Sequence, residues 1–318
     1  MRGDELLISV EACGICGTDL HIFDGTTDSN PPIILGHEYA GTIVDAGGSV
    51  NKFKKGERVV IDPNIYCGKC YYCRRNLVHF CESQVALGVH LNGGFAEYSI
   101  VPAAQIYRLP DNVPLEWGVF AEPLSCVIHG VDLAEVQLGD TVVILGAGAI
   151  GLMMIELMRS SGAGRIFVVE PSKERREIAE KLKPDLVINP EEVDVIDAVM
   201  KNTFDGSDIV MECAGTPETA KLSLELIRRG GRVIFFGVCD KEAFIEISPQ
   251  KIYYNEISIK GSFINPYTFS RSIELLSLGK IDFNKFSIAK FELNELLRAF
   301  EFHKKREVTK TIILPKIK

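Results

Sequence analysis

The chain has 318 residues, of which 46% are hydrophobic and 25% are charged, and its formal net charge at pH 7 is −8. This length accommodates about two domains with sizeable cores. The acidic balance, without any basic stretch, argues against nucleic acid as a partner, and no apolar segment is long enough to cross a membrane. Because no signal peptide is recognisable, we expect a cytoplasmic protein that acts on a small molecule.

Residues 1–125 have the pattern of a β-rich domain. Short runs of strand-forming residues alternate with turns such as Gly47-Gly48 and Lys55-Gly56. This alternation predicts an irregular β barrel with loops. The predicted strands cover residues 6–10, 42–45, 58–61, 95–101 and 106–109.

Four cysteines lie within the segment 67–81 of this first domain. A loop with this spacing can surround one divalent ion with four thiolates, so we predict a structural zinc lobe. An iron–sulfur cluster is the second reading, although the last cysteine is then usually followed by proline and here by Glu82. Reduced or disulfide-linked cysteines are the third, and disulfides are rare in the cytosol. The predicted zinc ligands are Cys67, Cys70, Cys73 and Cys81.

Residues 126–264 are predicted to form a nucleotide-binding domain. Apolar runs alternate with helical segments such as the amphipathic residues 173–182. This alternation is typical of a doubly wound parallel sheet with helices on both faces, which places the chain in the α/β class. The apolar runs lie at 141–145, 165–169, 209–211, 232–236 and 257–259.

A glycine-rich string, Gly-Ala-Gly-Ala-Ile-Gly at residues 146–151, follows the first of these runs and opens a helix. In a Rossmann domain the first glycine permits a tight turn, the second lets the backbone approach a pyrophosphate, and the third lets the helix pack on its strand. The helix N-terminus also favours phosphate groups. The predicted dinucleotide contacts are Gly146, Gly148, Ile150 and Gly151.

Glu170 ends the next apolar run. A carboxylate at this place accepts hydrogen bonds from the adenosine ribose and repels a 2′-phosphate, which favours NAD over NADP. Lys173, Arg175 and Arg176 follow, and they weaken this preference because a cation could accept the phosphate. A surface glutamate after an ordinary strand–turn–helix unit is the alternative reading.

The last part of the chain, residues 265–318, is predicted to return to the first domain. It contains a predicted helix at 292–303 and a predicted strand at 309–314.

A second set of metal-binding residue types is spread over three loops of residues 1–125. Cys16 lies in Cys-Gly-Ile-Cys-Gly-Thr-Asp, His37 and Glu38 lie in Gly-His-Glu, and Glu122 lies in Glu-Pro-Leu-Ser. A thiolate, an imidazole and carboxylates can bind zinc with one position open for water or substrate. The spacing alone leaves a simpler reading equally open, because cysteine is often a small buried residue and a His-Glu pair often a hydrogen bond.

Taken in order, these motifs resemble those of the zinc-dependent medium-chain dehydrogenase/reductase superfamily, also called the alcohol dehydrogenase superfamily. The resemblance covers nearly the whole chain. The glutamate at position 122 resembles the polyol (sorbitol-type) and threonine dehydrogenase branch of the superfamily. Liver-type alcohol dehydrogenases carry a cysteine at the corresponding position. The resemblance implies a GroES-like β-barrel catalytic domain and a Rossmann domain.

The resemblance also implies two zinc ions per chain and NAD. Arg175 would flank the adenosine ribose together with Glu170, and Val238 would lie near the nicotinamide. Glu122 would be a ligand of the catalytic zinc or its close neighbour. The residues that the resemblance assigns to catalysis are Cys16, His37, Glu38 and Glu122 at the zinc, and Thr18 and His21 in a proton relay.

One departure concerns the start of the chain. Residues 1–5 lie close to the first cysteine motif. Members of the family normally have a further segment before this point, and that segment forms the first strands of the barrel. We expect either a natural start upstream of Met1 or a catalytic domain that lacks those strands. Neither alternative removes a proposed ligand.

These features predict an NAD-dependent zinc dehydrogenase that oxidises a secondary alcohol, with a polyol such as a sugar alcohol as the first expectation. The alternatives are L-threonine, oxidised at its 3-hydroxyl, and an aldose. A non-catalytic nucleotide-binding scaffold is a distant alternative, because a scaffold needs no open metal site. The exposed edge of the Rossmann sheet predicts a homo-oligomer, either a dimer or a tetramer.

Overall fold

A computed structural model describes residues 1–27 and 29–315 and divides the chain into two compact units. The first unit contains Met1–Ser125, Asn265–Gly279 and the described residues from Ser287 onward. The second unit contains Cys126–Ile264 and Lys280–Phe286.

The segment Lys280–Phe286 differs from the expected return of all residues after 264 to the first domain. Its aromatic side chains Phe283 and Phe286 are buried, and their ring centroids lie 5.2 Å apart. The backbone N–H of Asp282 donates to the carboxylate of Glu156 in the second unit, at 3.2 Å. The segment therefore belongs to the second unit, because that is where its apolar side chains are removed from water.

The strands, in chain order, are β1 (Glu5–Gly14), β2 (Glu38–Ala46), β3 (Arg58–Ile61), β4 (Asn64–Ile65), β5 (Val85–Ala86), β6 (Tyr98–Pro102), β7 (Ile106–Arg108), β8 (Thr141–Leu145), β9 (Arg165–Val169), β10 (Leu186–Ile188), β11 (Ser207–Glu212), β12 (Ile227–Phe235), β13 (Ser258–Gly261), β14 (Ile288–Glu292) and β15 (Lys310–Leu314).

The α-helices are α1 (Gly17–Phe23), α2 (Ala121–Ala134), α3 (Ala149–Ser160), α4 (Lys173–Lys181), α5 (Val195–Lys201), α6 (Pro217–Leu226), α7 (Pro249–Asn255), α8 (Phe269–Ser277) and α9 (Leu296–Lys304). Short 3-10 helices lie at Cys73–Arg75, Val78–Phe80, Ala103–Gln105, Leu115–Phe120, Phe283–Lys285 and Leu293–Glu295. Among the helices within the described ranges, none is both long and apolar enough to cross a membrane.

The first unit is built on a mixed sheet of order β14-β15-β1-β2-β3-β7, in which β6 also pairs with β1. β1 is central: one edge pairs with β2 along most of its length, and the other pairs first with β6 and then with β15. Alternate residues Leu6, Ile8 and Val10 are fully buried in the core of this unit. The strand forms here because its apolar residues recur with a period of two.

Two predicted elements of this unit begin later than expected. The strand predicted at 95–101 begins at Tyr98, and the helix predicted at 292–303 begins at Leu296. Residues before Leu296 form β14 and a 3-10 helix instead, because Ile288–Glu292 pairs with β15. This partner is distant in sequence, so local periodicity could not reveal the strand.

The second unit contains a six-stranded sheet of order β10-β9-β8-β11-β12-β13, and all neighbouring strands are parallel. Numbered by their sequence, the strands have the order 3-2-1-4-5-6 that defines the Rossmann fold. β8 is buried along its whole length, as expected for a central parallel strand. The crevice for a dinucleotide lies where the strand order reverses, between the carboxyl ends of β8 and β11.

A buried polar network in the first unit supports the start of α2, which carries Glu122. The side-chain amide of Asn265 donates to Ser125 Oγ at 2.8 Å and accepts from Asn64 at 2.6 Å. Ser125 Oγ in turn donates to the backbone carbonyl of Glu122 at 2.6 Å. Asp62 lies beside the network, and burial together with the Glu122 charge raises the pKa of Asp62 to about 7.

We expect Asn265→Ala to lower the free energy of unfolding by about 1–3 kcal/mol, because it leaves buried polar groups without a partner. Urea unfolding of the variant measures this loss. Asn112→Ala removes an exposed amide of the same unit, and should change stability by less than about 0.5 kcal/mol. Equal stability of Asn265→Ala and Asn112→Ala would contradict a supporting role of the network.

Candidate functional site

The four cysteines of the lobe converge, and their sulfur atoms all lie within 4.8 Å of one another. Cys67 Sγ and Cys73 Sγ are 3.9 Å apart, close to the separation of about 3.8 Å that tetrahedral zinc with 2.3 Å bonds requires. Each of the four is a free cysteine in the structure. The donor set therefore fits a divalent ion held by four thiolates.

Backbone N–H groups point at these sulfur atoms. The N–H of Cys67 donates to Cys81 Sγ at 3.3 Å, and the N–H of Cys70 donates to Cys67 Sγ at 3.4 Å. The N–H groups of Cys73 and Glu82 lower the pKa of the Cys70 thiol to about 6. These N–H groups favour thiolates, whereas burial raises the pKa of the Cys73 thiol to about 12. Four thiolates around one ion would leave no ligand position for a substrate.

A second cluster brings Cys16, His37 and Glu38 together, with one ligand atom from each within 4.8 Å of the others. Cys16 is the N-cap of α1, His37 directly precedes β2, and Glu38 is its first residue. His37 and Glu38 are buried, while Cys16 is partly exposed. A thiolate, an imidazole and a carboxylate with one accessible side are suited to a catalytic metal with an open position.

Asp19 organises this cluster, and sequence reasoning gave it no role. Its fully buried carboxylate accepts the N–H of Cys16 at 2.8 Å and the N–H of Gly36 at 3.1 Å. Asp19 Oδ1 also lies 3.3 Å from His37 Nδ1. Burial opposes the charge of the imidazolium, but Asp19 and Cys16 outweigh it and raise the pKa of His37 well above its usual value. The signal available in the sequence was the position of Asp19 in the first turn of a helix capped by Cys16.

Lys310 is a second residue that the sequence did not predict. Its ammonium forms a buried ion pair with the carboxylate of Glu38. Burial opposes the ammonium charge, yet Glu38, Cys16 and Glu122 raise the pKa of Lys310 above its usual value. Nothing in the local sequence around Lys310 indicates this role, because its partner comes from the other end of the chain.

Glu122 lies near this cluster but outside it. It stands in the first turn of α2 and is 8% exposed. The group of ligand atoms within 4.8 Å of one another, searched over the described residues, contains Cys16, His37 and Glu38 only. The Glu122 charge nevertheless acts on Lys310 and Asp62. The structure thus places Glu122 as a neighbour of the three-residue cluster.

The two residues expected in a proton relay both lie on α1. Thr18 Oγ1 is 3.7 Å from Cys16 Sγ, so its hydroxyl lies at the edge of the cluster. His21 is exposed and stands in the last turn of the same helix. A helical separation of three residues puts both side chains on one side of α1.

The glycine-rich string forms the predicted turn between β8 and α3. Gly146 has a φ of +100°, which favours glycine, and a Cβ on Gly151 would overlap the carbonyl oxygen of Gly146. Gly148 is the N-cap of α3, so the backbone N–H groups of the first turn are free for a phosphate. Ile150 lies in that first turn.

Glu170 is nearly fully buried at the end of β9 and braces this turn. Its carboxylate accepts the N–H of Ala147 at 2.7 Å and the N–H of Ser172 at 2.9 Å. Arg175 lies in the first turn of α4, and its Nη1 would be 3.8 Å from a Cβ on Gly148. The predicted ribose acid and its cationic neighbour therefore both lie at the glycine-rich turn.

The crevice also contains Glu212, which was not predicted. This buried carboxylate, at the end of β11, accepts the N–H groups of Ala214 and Gly215, each at 2.8 Å. The loop that it braces faces Gly146, because a Cβ on Gly146 would lie 3.3 Å from the nitrogen of Ala214. Val238, which follows β12, is 83% exposed. Its side chain is therefore accessible to a ligand in the second unit.

Family models match both parts of the chain. Residues 2–111 match the alcohol dehydrogenase GroES-like domain, and residues 149–278 match the zinc-binding dehydrogenase model. The chain is 36% identical to D-arabinitol dehydrogenase 1 of Uromyces fabae over 98% of this chain and 90% of the relative. It is 39% identical to the L-threonine 3-dehydrogenase of Caldanaerobacter subterraneus subsp. tengcongensis over 81% of this chain and 75% of the relative.

A solved structure with a TM-score of 0.94 is described as a zinc-binding dehydrogenase from Sinorhizobium meliloti 1021, bound to NADP. It is 37% identical and covers 99% of this chain and 93% of that one. The predicted fold, a GroES-like domain and a Rossmann domain, is confirmed. The matches and the cysteine cluster together indicate zinc and a nucleotide as cofactors.

We expect Cys73→Ser to hold about one zinc ion fewer per chain than the wild type, because three thiolates bind zinc less tightly than four. Elemental analysis of the purified proteins measures the zinc content. Cys239→Ser, which changes a thiol outside both metal-binding clusters, is the control. An unchanged zinc content in Cys73→Ser would contradict the assignment of the lobe.

Proposed function

Because the chain belongs to the zinc-type medium-chain dehydrogenases, in their polyol and threonine branch, we propose that it oxidises the secondary alcohol of a polyol and transfers the hydride to NAD. The observation that carries this proposal is the cluster of Cys16, His37 and Glu38. This cluster is separate from the closed tetrathiolate and has one partly exposed member, as a site that must admit a substrate requires.

The donor types and separations of Cys16, His37 and Glu38 fit zinc, and Glu122, whose charge acts on the same Lys310 that pairs with Glu38, would be the alternative carboxylate ligand. When bound, zinc supplies a Lewis acid that polarises the hydroxyl of the substrate. Asp19 faces Nδ1 of His37, which leaves Nε2 as the donor atom for the metal. The same carboxylate holds the backbone at Cys16 and Gly36, so it fixes both ligand loops before the substrate arrives.

Thr18 and His21 would remove the proton that alcohol oxidation releases. The hydroxyl of Thr18 can accept one proton and donate another, and it lies beside Cys16 at the cluster. His21 is exposed on the same helix, where its imidazole can accept a proton and pass it to water. Together they provide a route from the buried site to solvent.

The nicotinamide cofactor would occupy the crevice of the second unit. The turn at Gly146 and the N-terminus of α3 suit a pyrophosphate, and Val238 would contact the nicotinamide. The buried carboxylate of Glu170 supports NAD as the preferred cofactor, because it repels a 2′-phosphate. The similar structure from Sinorhizobium meliloti 1021 is bound to NADP, and Arg175 is the residue here that would favour that cofactor.

L-Threonine is the second candidate substrate. Several similar proteins are L-threonine 3-dehydrogenases, including that of Pyrococcus furiosus, which is 35% identical over 98% of this chain. The reacting group of L-threonine is also a secondary alcohol, so the same cluster and cofactor would serve both substrates. An aldose and a non-catalytic scaffold remain the weaker alternatives, and turnover of any alcohol that stops on chelation would eliminate the scaffold.

We also propose a homo-oligomer, either a dimer or a tetramer. β13 is an edge of the Rossmann sheet and pairs on one side, with β12. An open strand edge offers backbone donors and acceptors to a second copy. Light scattering coupled to size-exclusion chromatography gives the assembly directly.

We expect NADH formation with polyols, and its loss on chelation. A screen of polyols, L-threonine, aldoses and simple alcohols, each with and without chelator, identifies the substrate.

In Cys16→Ser the turnover should fall more than about a hundredfold, because a ligand of the catalytic metal is removed. NADH binding, followed by fluorescence, should persist because Cys16 lies in the first unit. Wild-type turnover in Cys16→Ser would show that this cluster is not the catalytic centre.

We expect Glu170→Ala to shift the ratio of kcat/KM for NAD to kcat/KM for NADP toward NADP by about tenfold or more, because a charged hydrogen-bond acceptor is lost. The ratio is informative because the variant also loses the hydrogen bond from the N–H of Ala147 to Glu170, and this loss should weaken the binding of NAD and NADP alike. Glu174→Ala changes an exposed acid of the adjoining helix and is the matched control. If Glu170→Ala left the ratio unchanged, Glu170 would only hold the turn in place and would not discriminate between NAD and NADP.

A further inference from the structure

Lys310 reaches the candidate catalytic cluster from the last strand of the first unit. Gly14, at the end of β1, is paired with Glu38 of β2 on one side and with Ile312 of β15 on the other. Lys310 stands two residues before Ile312, so strand alternation places both on the same face. The side chains of Glu38 and Lys310 therefore meet across β1.

Gly14 leaves the space in which they meet. A Cβ on Gly14 would overlap the carboxylate of Glu38 and would come within 2.7 Å of Lys310 Cε. A Cβ on Gly17, in the same motif, would meet nothing within 4 Å. The missing side chain at position 14 is thus a steric requirement of the ion pair.

The ion pair is shielded from water. Lys310 is 3% exposed and Glu38 is 1% exposed. Salt screens such a pair much less than a surface pair, and removal of one partner would leave an uncompensated charge in the interior. Lys310 is therefore a fixed cation directly beside a candidate ligand of a second cation.

We propose that Lys310 is a positioning residue that holds the Glu38 carboxylate and limits its coordination of the metal, so that one metal position stays open for the substrate. This inference rests on the proposed zinc site. A carboxylate engaged with an ammonium is a weaker metal ligand, because the ammonium competes with the metal for the carboxylate oxygen atoms. Without the ammonium, both oxygens of Glu38 would be free for the metal.

The test compares Lys310→Met with the wild type after replacement of zinc by Co²⁺, whose visible absorption reports its coordination. We expect Co²⁺ release to a chelator to slow by about tenfold, because the competitor for a charged ligand is gone. The absorption bands should weaken as coordination increases, and kcat should fall more than KM rises. Lys310→Gln, which keeps a donor without the charge, should change in the same direction.

Lys304→Met is the matched control, because Lys304 is a more exposed lysine of the same unit that pairs with Asp24 and Glu301. Its Co²⁺ release should equal that of the wild type. Release from Lys310→Met that is equal to or faster than wild type would overturn the inference.

A double-variant comparison isolates the path through Glu38. If Lys310 acts through this carboxylate, Lys310→Met should change Co²⁺ release in the wild type but not in a Glu38→Gln background. The double variant removes both charges, so it avoids an unpaired buried charge and keeps the test open if Lys310→Met fails to fold. A large effect of Lys310→Met in the Glu38→Gln background would overturn the inference.

Failure of the proposed function looks different. A wild-type protein that binds no Co²⁺ beyond the cysteine lobe would refute the catalytic metal site itself. If the wild-type protein binds a second, Cys16-dependent Co²⁺ and Lys310→Met leaves the release of that ion unchanged, only the role of Lys310 is refuted.

Discussion

The candidate catalytic site depends on the buried carboxylate of Asp19. This single side chain accepts backbone N–H groups from Cys16 and Gly36 and faces the imidazole of His37. The ladder between β1 and β2 ends at Gly14 and Glu38, and the Asp19 carboxylate extends this pairing by joining Cys16 to Gly36. A charged acceptor in a buried setting is costly unless its hydrogen bonds are satisfied, so the loops and the carboxylate fix one another.

The same arrangement recurs in the second unit, at the nucleotide crevice. Glu170 follows β9 and Glu212 ends β11, the two strands that flank β8. Glu170 accepts one backbone N–H from the turn after β8 and one from the loop after β9, and Glu212 accepts two from the loop that follows its own strand. Loops at the carboxyl ends of strands carry the ligand-binding groups of this fold but have no ladder of their own to stiffen them. Buried carboxylates supply the missing rigidity.

Much of the fold could be predicted from the sequence, because its signals are local. β8 and β9 coincide with the predicted apolar runs, and the turn at Gly146 follows from the requirement for a positive φ. The strand β14 and the placement of Lys280–Phe286 in the second unit could not be predicted, because each depends on partners distant in sequence. Polar residues such as Asn265 carried no sequence signal, since an amide is buried or exposed according to its neighbours.

The sequence by itself determined which chemical groups the protein has: a tetrathiolate lobe, a dinucleotide turn, and the donors Cys16, His37 and Glu38. These follow from residue types and short spacings, which a single stretch of chain contains in full. Only the tertiary structure decided that Asp19 joins the ligand loops, that Glu122 stands beside the cluster, and that Lys310 pairs with Glu38 across Gly14. The physical reason is that charges interact through space, and only the pairing of β1 with β2 and β15 brings the two ends of the chain together.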